Sequence, residues 1–484
     1  MSAQTAVFRE LNRSTYPAPK SEVRIVHIGL GAFHRAHQAW YTAQAADGWG
    51  IAAFTGRSAT AANELATQDG LYTLIRREAQ GDSFEVIDSI VAAHDGADLN
   101  ALANLLARPS VALVSLTITE AGYKMLPVAG EPELNLEDPQ VREDLAILRD
   151  RFEGGVFAKS RSEFESLKVQ TAAARLVVGL SARRAADGWP LSVVSCDNLP
   201  ENGLVARASI LGLARAVDAD LAAWIEENVS FVATSIDRIT PRTTDADRRT
   251  VAGETGFADA SPVVTEPFTS WVIAGEFPAG RPAWEKAGAK FVADLQPFER
   301  RKLWLLNGAH TLMSFAGQLR GHATVAQALA DQRVSDWVEE FWDAAQRHLT
   351  EEGLDITGYR ASLRERFENP RIEHLLEQIA MDGSIKLAAR ALPVYQAERE
   401  AGRDGRAALR LIAAWCEQVC AQHAAGKPIA DANSSALEAV LAEDAASYGS
   451  GAQTKALVEV LDTEMSQSSE AIEMIDDLRQ SFAQ

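Results

Sequence analysis

Two textures divide the chain. Through the first 290 residues, apolar runs of strand length fall at 24–28, 50–54, 84–92, 111–119, 191–195 and 229–232. Stretches with helical spacing lie between them, as at 101–107 and 171–184. Short, almost wholly apolar runs suit strands covered on both faces, and their alternation with helices predicts a mostly parallel sheet. Residues 130–155 are polar and acidic and read as a loop or insertion between sheet elements. From about residue 291 strand-like runs become scarce. Helical spacing takes over at 298–319, 334–349, 372–380, 407–424 and 435–442. The pattern predicts an α/β domain over 1–290 and a mainly α-helical domain over 291–484. The acid-rich stretch from Leu437 onward reads as a solvated helical surface.

Composition narrows the partners. The chain has 47 Lys+Arg against 67 Asp+Glu, a net charge of −20. That balance argues against a nucleic-acid binder, which needs a basic footprint, but leaves room for a local pocket for a small anion. No apolar run approaches the roughly 18 residues of a membrane span, so no membrane partner is expected. The opening MSAQTAVFRE lacks a basic segment followed by an apolar one, so no secretory signal is expected either. Cys196, Cys416 and Cys420 cannot make a disulfide framework. Together these features predict a cytoplasmic protein, monomeric or a small homo-oligomer. No metal site is expected: Cys416 and Cys420 have no histidine cluster, and His34 and His37 lack Cys or acidic partners.

Candidate chemistry starts at the first strand. It runs into Gly29-Leu30-Gly31-Ala32-Phe33-His34 and then a helical stretch. This strand–turn–helix context suits a dinucleotide pyrophosphate and hence a Rossmann-type domain. Gly29 permits the tight turn, Gly31 allows close backbone approach, and the helix offers free N–H groups. His34 occupies the position of the usual third glycine. The second strand ends Phe54-Thr55-Gly56-Arg57-Ser58, without the acidic residue that usually holds the ribose diol. Arg57 and Ser58 can instead receive a 2′-phosphate, so the cofactor reads as NAD or NADP.

The richest stretch is Pro297 onward, PFERRKLWLLNGAH. At about 100° per residue, Glu299, Lys302, Asn307 and His310 fall within an arc of roughly 140° on one regular helix. A second polar cluster, Ser195-Cys196-Asp197-Asn198-Leu199-Pro200, follows a strand end, where open α/β sheets place their ligands. Asn198 is well placed there to aim an amide donor, although an Asx turn before Pro200 reads equally well. A third, Ser235 to Pro241, reads by default as a structural ion pair around Asp237 and Arg238.

As an ordered set these segments resemble the polyol-specific long-chain dehydrogenases, the mannitol 2-dehydrogenase and fructuronate reductase family. The matching stretches are GLGAFHRAHQA, QDGLYTL, SLTITEAGY, SCDNLPENG, DRITP, EPFTSWV, GRPAWEKAG, KLWLLNGAH and MDGSIK, spread over about residues 24 to 390. The resemblance implies Lys302 as general acid/base, Asn307 and Asn198 as oxyanion donors, and His310 on a neighbouring substrate hydroxyl. It implies Glu299 as a proton relay, Asp237 and Lys386 as substrate contacts, and Gly29, Gly31 and Phe33 at the cofactor turn. Two positions depart from the family. The acidic pair after the second strand is missing, and an arginine that contacts polyol in mannitol 2-dehydrogenases is Gln378 here.

Those roles make chemical sense. Oxidising a secondary alcohol needs a base for the hydroxyl proton and donors for the developing alkoxide. A lysine serves only if desolvation and nearby positive charge pull its pKa from about 10.4 toward neutrality. The expected activity is interconversion of a polyol and its ketose, with mannitol and fructose as first candidates. The alternative substrate is a hexuronate, reduced from fructuronate to mannonate, with Lys386 and Arg390 as cations for its carboxylate. A non-catalytic dinucleotide sensor is the alternative of another class, and a hydrolase using Asp237 and Glu266 a distant third.

Overall fold

The apolar runs pair as buried strands in the computed structural model, which describes residues 8–127, 130–152, 164, 167–442 and 451–482. Eight strands form one sheet: β1 (Glu22–Ile28), β2 (Trp49–Phe54), β3 (Ile90–His94), β4 (Leu113–Leu116), β5 (Leu191–Ser195), β6 (Val229–Asp237), β7 (Ser270–Ala274) and β8 (Lys290–Val292). Their spatial order is β3-β2-β1-β4-β5-β6-β7-β8. The first six are parallel, β7 runs antiparallel to β6, and β8 is parallel to β7. This is the Rossmann order, with a reversal between β1 and β4.

Alternation along each strand sends side chains to two cores. Val26, Ile28, Phe54, Val114 and Leu116 pack on one face with helices Leu99–Leu106 and Ala172–Ala185. Ile25, Ile51 and Leu113 pack on the other with Ala36, Ala39, Tyr41 and Trp271.

Two expectations fail in instructive ways. The run 84–92 is not one strand. It breaks at Asp88-Ser89, where Ser89 Oγ donates to Ala39 O at 2.7 Å. Gly81–Ile87 instead pairs with Tyr72–Glu78 in a separate three-stranded sheet completed by Val263–Thr265. Continuous hydrophobicity hid a change of sheet. Within the supposed loop 130–155 lies helix Pro139–Phe152. Val141, Leu145 and Leu148 are its buried stripe, at the spacing of one helix face and masked by surrounding charge. Residues 153–155 lie outside the described ones.

The chain divides into two compact units, Met1–Leu295 and Gln296–Gln484. The second is helical, built around Gly308–Leu319 packed on Arg406–Ala424. The expected helix at 372–380 is shorter, Leu376–Ala380, because residues 374–376 bond instead to the backbone of 323–325. The acid-rich tail is more than a solvated surface. Leu457, Val458, Ile475 and Leu478 are buried, and Ser469–Gln480 packs on Arg406–Ala424.

Candidate active site

Register aligns the carboxyl ends of four strands. Ile28 lies beside Phe54 and Leu116, and Leu116 beside Ser195. The loops that follow therefore open at one level, at the point where strand order reverses. Gly29 and Leu30 donate to Phe54 O at 2.9 and 2.8 Å. Gly29 has φ +110°, and a Cβ there would lie 2.0 Å from Thr117 O, so both conformation and space demand glycine. At Gly31 a Cβ would meet only Gly29 O, at 3.6 Å. The protein leaves that side open, as close approach of a ligand requires.

A cavity of about 950 Å³ opens on these loops. Among the described residues lining it are Arg57, Lys124, Lys168 and Arg175, and no carboxylate. Arg175 donates to Gly56 O at 2.9 Å and so fixes the loop that carries the exposed Arg57. Lys124 pairs with Asp138 at 3.2 Å. Thr119 at the rim has φ +66° and ψ 160°, a conformation almost reserved for glycine. It is held by Asp197, whose carboxylate accepts from Thr119 N at 2.7 Å, Ile118 N at 3.1 Å and Tyr123 Oη at 2.7 Å. Burial raises the Asp197 pKa against the pull of these donors.

Two histidines lie beneath the glycine turn. His27 hydrogen-bonds Ser115 Oγ at 2.9 Å and Thr117 Oγ1 at 3.1 Å, and Thr117 Oγ1 donates to Gly29 O. His34 stacks on His27 with ring centroids 3.3 Å apart. Here the residue in place of the third glycine is a buried packing element. His37 is likewise buried, stacked on Phe33. Burial lowers the His27 pKa to about 3 and holds that of His34 well below 6.5. Above pH 6.5 both states are neutral and nothing is lost. Between 6.5 and about 3 the unfolded chain binds a proton that folded His27 refuses, so stability falls as pH falls, by at most about 1.4 kcal/mol per pH unit for this group. Urea unfolding at pH 7.5 and pH 5 should show that loss, and His27→Asn should flatten it. Equal pH slopes in the two proteins would show that His27 is not buried neutral.

At the end of β5, Asn198 is exposed, and its neighbours are fixed rather than loose. Asn202 Nδ2 donates to Asp197 O and to Thr234 O, and Asn202 Oδ1 accepts from Thr234 N. Asp237, half-buried, ends β6. The expected ion pair at Arg238 is not what anchors it. Its guanidinium donates to the backbone carbonyls of Ala36 and Glu266 and stacks over Trp40 at 4.6 Å.

In the second unit the expected regular helix is replaced by a compound one. Gln296–Arg301 is α, Lys302–Asn307 is a π-helix, and Gly308–Leu319 is α again. The difference changes the geometry of the motif. In an α-helix five positions carry Asn307 roughly 140° round from Lys302. In an i→i+5 turn the wider winding brings residues five apart back toward the same side of the axis. Lys302 and Asn307 thus share one side of the helix through a wide turn that spacing alone does not reveal. Glu299, Lys302 and Asn307 are half-buried.

His310 is buried, and its Nε2 has no hydrogen-bond partner among the described residues. Burial first, then the neighbouring charges of His374, Arg366 and Arg390, hold it well below 6.5, so it is a neutral imidazole. Its ring lies 4.7 Å from Phe367 and 4.8 Å from His374. Lys386 Nζ donates to Ile379 O at 2.9 Å, which ties it to the short helix carrying the exposed Gln378. Burial lowers its pKa, with Arg390 adding to the effect.

Each unit therefore gathers its own candidates: Gly29, Gly31, Phe33, Arg57, Asn198 and Asp237 at the strand ends, and Glu299, Lys302, Asn307 and His310 on one compound helix. The bracing role of Asp197, together with Trp342, and Arg366 and His374 beside His310, escaped sequence reasoning. Only Asp197 left a signal, its place directly after a strand. Among the described residues no cluster of three or more His, Cys, Asp or Glu side chains is placed to hold a metal, and no helix is long and apolar enough to cross a membrane.

Comparison with known proteins matches both units. The family model described as mannitol dehydrogenase Rossmann domain matches residues 23–286, and the one described as mannitol dehydrogenase C-terminal domain matches 294–482. The chain is 37% identical over 414 residues to D-mannonate oxidoreductase of Escherichia coli K12, covering 83% of this chain and 81% of that one. Among solved structures, a substrate-free D-sorbitol dehydrogenase has a TM-score of 0.85 at 27% identity, covering 98% of both chains. Pseudomonas fluorescens mannitol 2-dehydrogenase, in a ternary complex with NAD and D-mannitol, has a TM-score of 0.73 at 32% identity, covering 98% of this chain and 97% of that one.

Proposed function

The chain belongs to the mannitol dehydrogenase family, and we propose that it is an NAD(P)-dependent oxidoreductase interconverting a polyol and its ketose at a secondary alcohol. The observation that carries this reading is the wide turn Lys302–Asn307, which sets a lysine and an amide on one side of a helix that also carries a neutral, buried His310.

The cavity at the strand ends fits a dinucleotide: the open side of Gly31 admits a pyrophosphate, and its cations suit phosphate groups. When bound, the nicotinamide supplies the hydride acceptor or donor. Lys302 takes the hydroxyl proton in oxidation and returns it in reduction, with Glu299 as relay. Asn198 and Asn307 donate to the developing oxyanion. His310 Nε2 holds an adjacent hydroxyl, and Asp237 and Lys386 hold the rest of the substrate.

The second reading changes only the substrate, to a hexuronate and its aldonate. It is favoured by the cations Arg366 and Arg390 near His310, and by the exposed Gln378 where polyol enzymes carry arginine. Similarity to a D-mannonate oxidoreductase points the same way. A panel of polyols and aldonates against NAD and NADP tests both. Turnover of neutral polyols supports the first reading, and turnover of aldonates alone supports the second. Cofactor binding with no turnover on any of them makes the chain a sensor.

On cofactor choice, the absence of a carboxylate among the described cavity residues, together with Arg57, supports NADP at least as good as NAD. Arg57→Ala should lower kcat/KM for NADP about tenfold and leave NAD nearly unchanged. A hundredfold preference of the native chain for NAD would sink this reading.

A further inference from the structure

A π-turn is a rare departure from the i→i−4 pattern and persists only where its surroundings hold it. Two neighbouring helices hold this one. From Gln332–Gln346, the indole Nε1 of the fully buried Trp342 donates to Leu305 O at 2.7 Å, inside the wide turn. The preceding residue, Phe341, presses on the turn's end: a Cβ at Gly308 would lie 2.4 Å from its ring. From Gly383–Arg390, the Arg390 guanidinium donates to Thr311 Oγ1 at 2.8 Å and, more weakly, to Asn307 O at 3.4 Å. A side chain that donates to a carbonyl within a helix is a recognised cause of local departure from regular winding.

We propose that Trp342 and Arg390 are positioning residues that keep the turn Lys302–Asn307 wide, and so set the lysine and the amide on one side of the helix. Neither needs to touch substrate for this. Trp342 acts through the Leu305 carbonyl, and Arg390 through Asn307 and Thr311. If the turn relaxed to α geometry, Asn307 would stand roughly 140° round the helix axis from Lys302. This inference rests on the reading of Lys302 as acid/base for its kinetic consequence, but not for its structural one.

The test uses the full chain with the alcohol substrate that the panel identifies. Trp342→Phe keeps the aromatic bulk and removes the donor. Arg390→Lys keeps the charge and removes the planar fork. Each should lower kcat about tenfold or more while KM moves less than about threefold, and should shift the ionisation seen in the kcat/KM pH profile. Amide exchange at residues 303–308, read by mass spectrometry, should quicken by about tenfold or more relative to the rest of the second unit. Unchanged kcat, pH profile and exchange in both variants would overturn the proposal. A rise in KM alone in Arg390→Lys would assign that residue to substrate binding and overturn its positioning role. If Trp342→Phe fails to fold, Arg390→Lys decides by the same readouts. If Lys302→Ala retains turnover, the acid/base reading fails, and the exchange measurement still decides what holds the turn.

Discussion

Lys302→Ala should lose between about a hundredfold and ten-thousandfold in kcat in both directions, the range general acid–base catalysis supplies. Cofactor affinity should be unchanged, because the cavity at the strand ends takes all its described lining from the first unit. The variant should fold: Lys302 is half-buried, and truncating it removes no buried apolar volume from the helix, unlike its neighbours Trp304, Leu305 and Leu306. The pH dependence is the sharper readout. In the native enzyme the rate of alcohol oxidation should rise as Lys302 loses its proton and level off above its pKa, since only the neutral amine accepts the substrate proton. Lys302→Ala should lose that limb. A variant that keeps more than about a tenth of native kcat, with the limb intact, would move the base elsewhere, and Glu299 three residues earlier would be the first place to look.

What could be read from the sequence follows from which interactions are local. The strand β1 and its glycine turn were legible because a mainly apolar run, a φ-positive glycine and a following helix are adjacent in the chain. The strand-end positions of Asn198 and Asp237 were legible for the same reason, Asn198 following β5 and Asp237 closing β6, whereas a substrate role for Asp237 came only from the family resemblance. The wide turn was not. Its residues, KLWLLN, read as ordinary helix, and what holds it open comes from Trp342, 37 positions away, and Arg390, 83 positions from Asn307. The same limit hid the role of Asp197. Its carboxylate is occupied by Ile118, Thr119 and Tyr123, more than 70 positions earlier, so proximity to Asn198 could not reveal that it braces a strained loop at the cavity rim. His34 is a different case. Its place in a glycine pattern says nothing of packing, and only the stacked ring of His27 shows that it fills space.

Asn307→Ala and Asn198→Ala should each lower kcat by about a hundredfold, the cost of about 2.7–4 kcal/mol for losing one donor to a developing oxyanion. Asn307 offers the cleaner measurement. Its backbone carbonyl, not its amide, is what Arg390 contacts, so alanine removes the side-chain donor while leaving that tie to the wide turn in place. Asn307→Asp sharpens the point. It is nearly isosteric, yet it replaces a donor with an anion beside a site where negative charge develops, so it should be slower than the alanine variant rather than faster. A steric or packing role predicts the reverse order, with aspartate tolerated and alanine harmful. KM decides the remaining question. If the amide acts on the transition state alone, kcat and kcat/KM fall together, whereas a loss confined to KM would make Asn307 a ground-state contact.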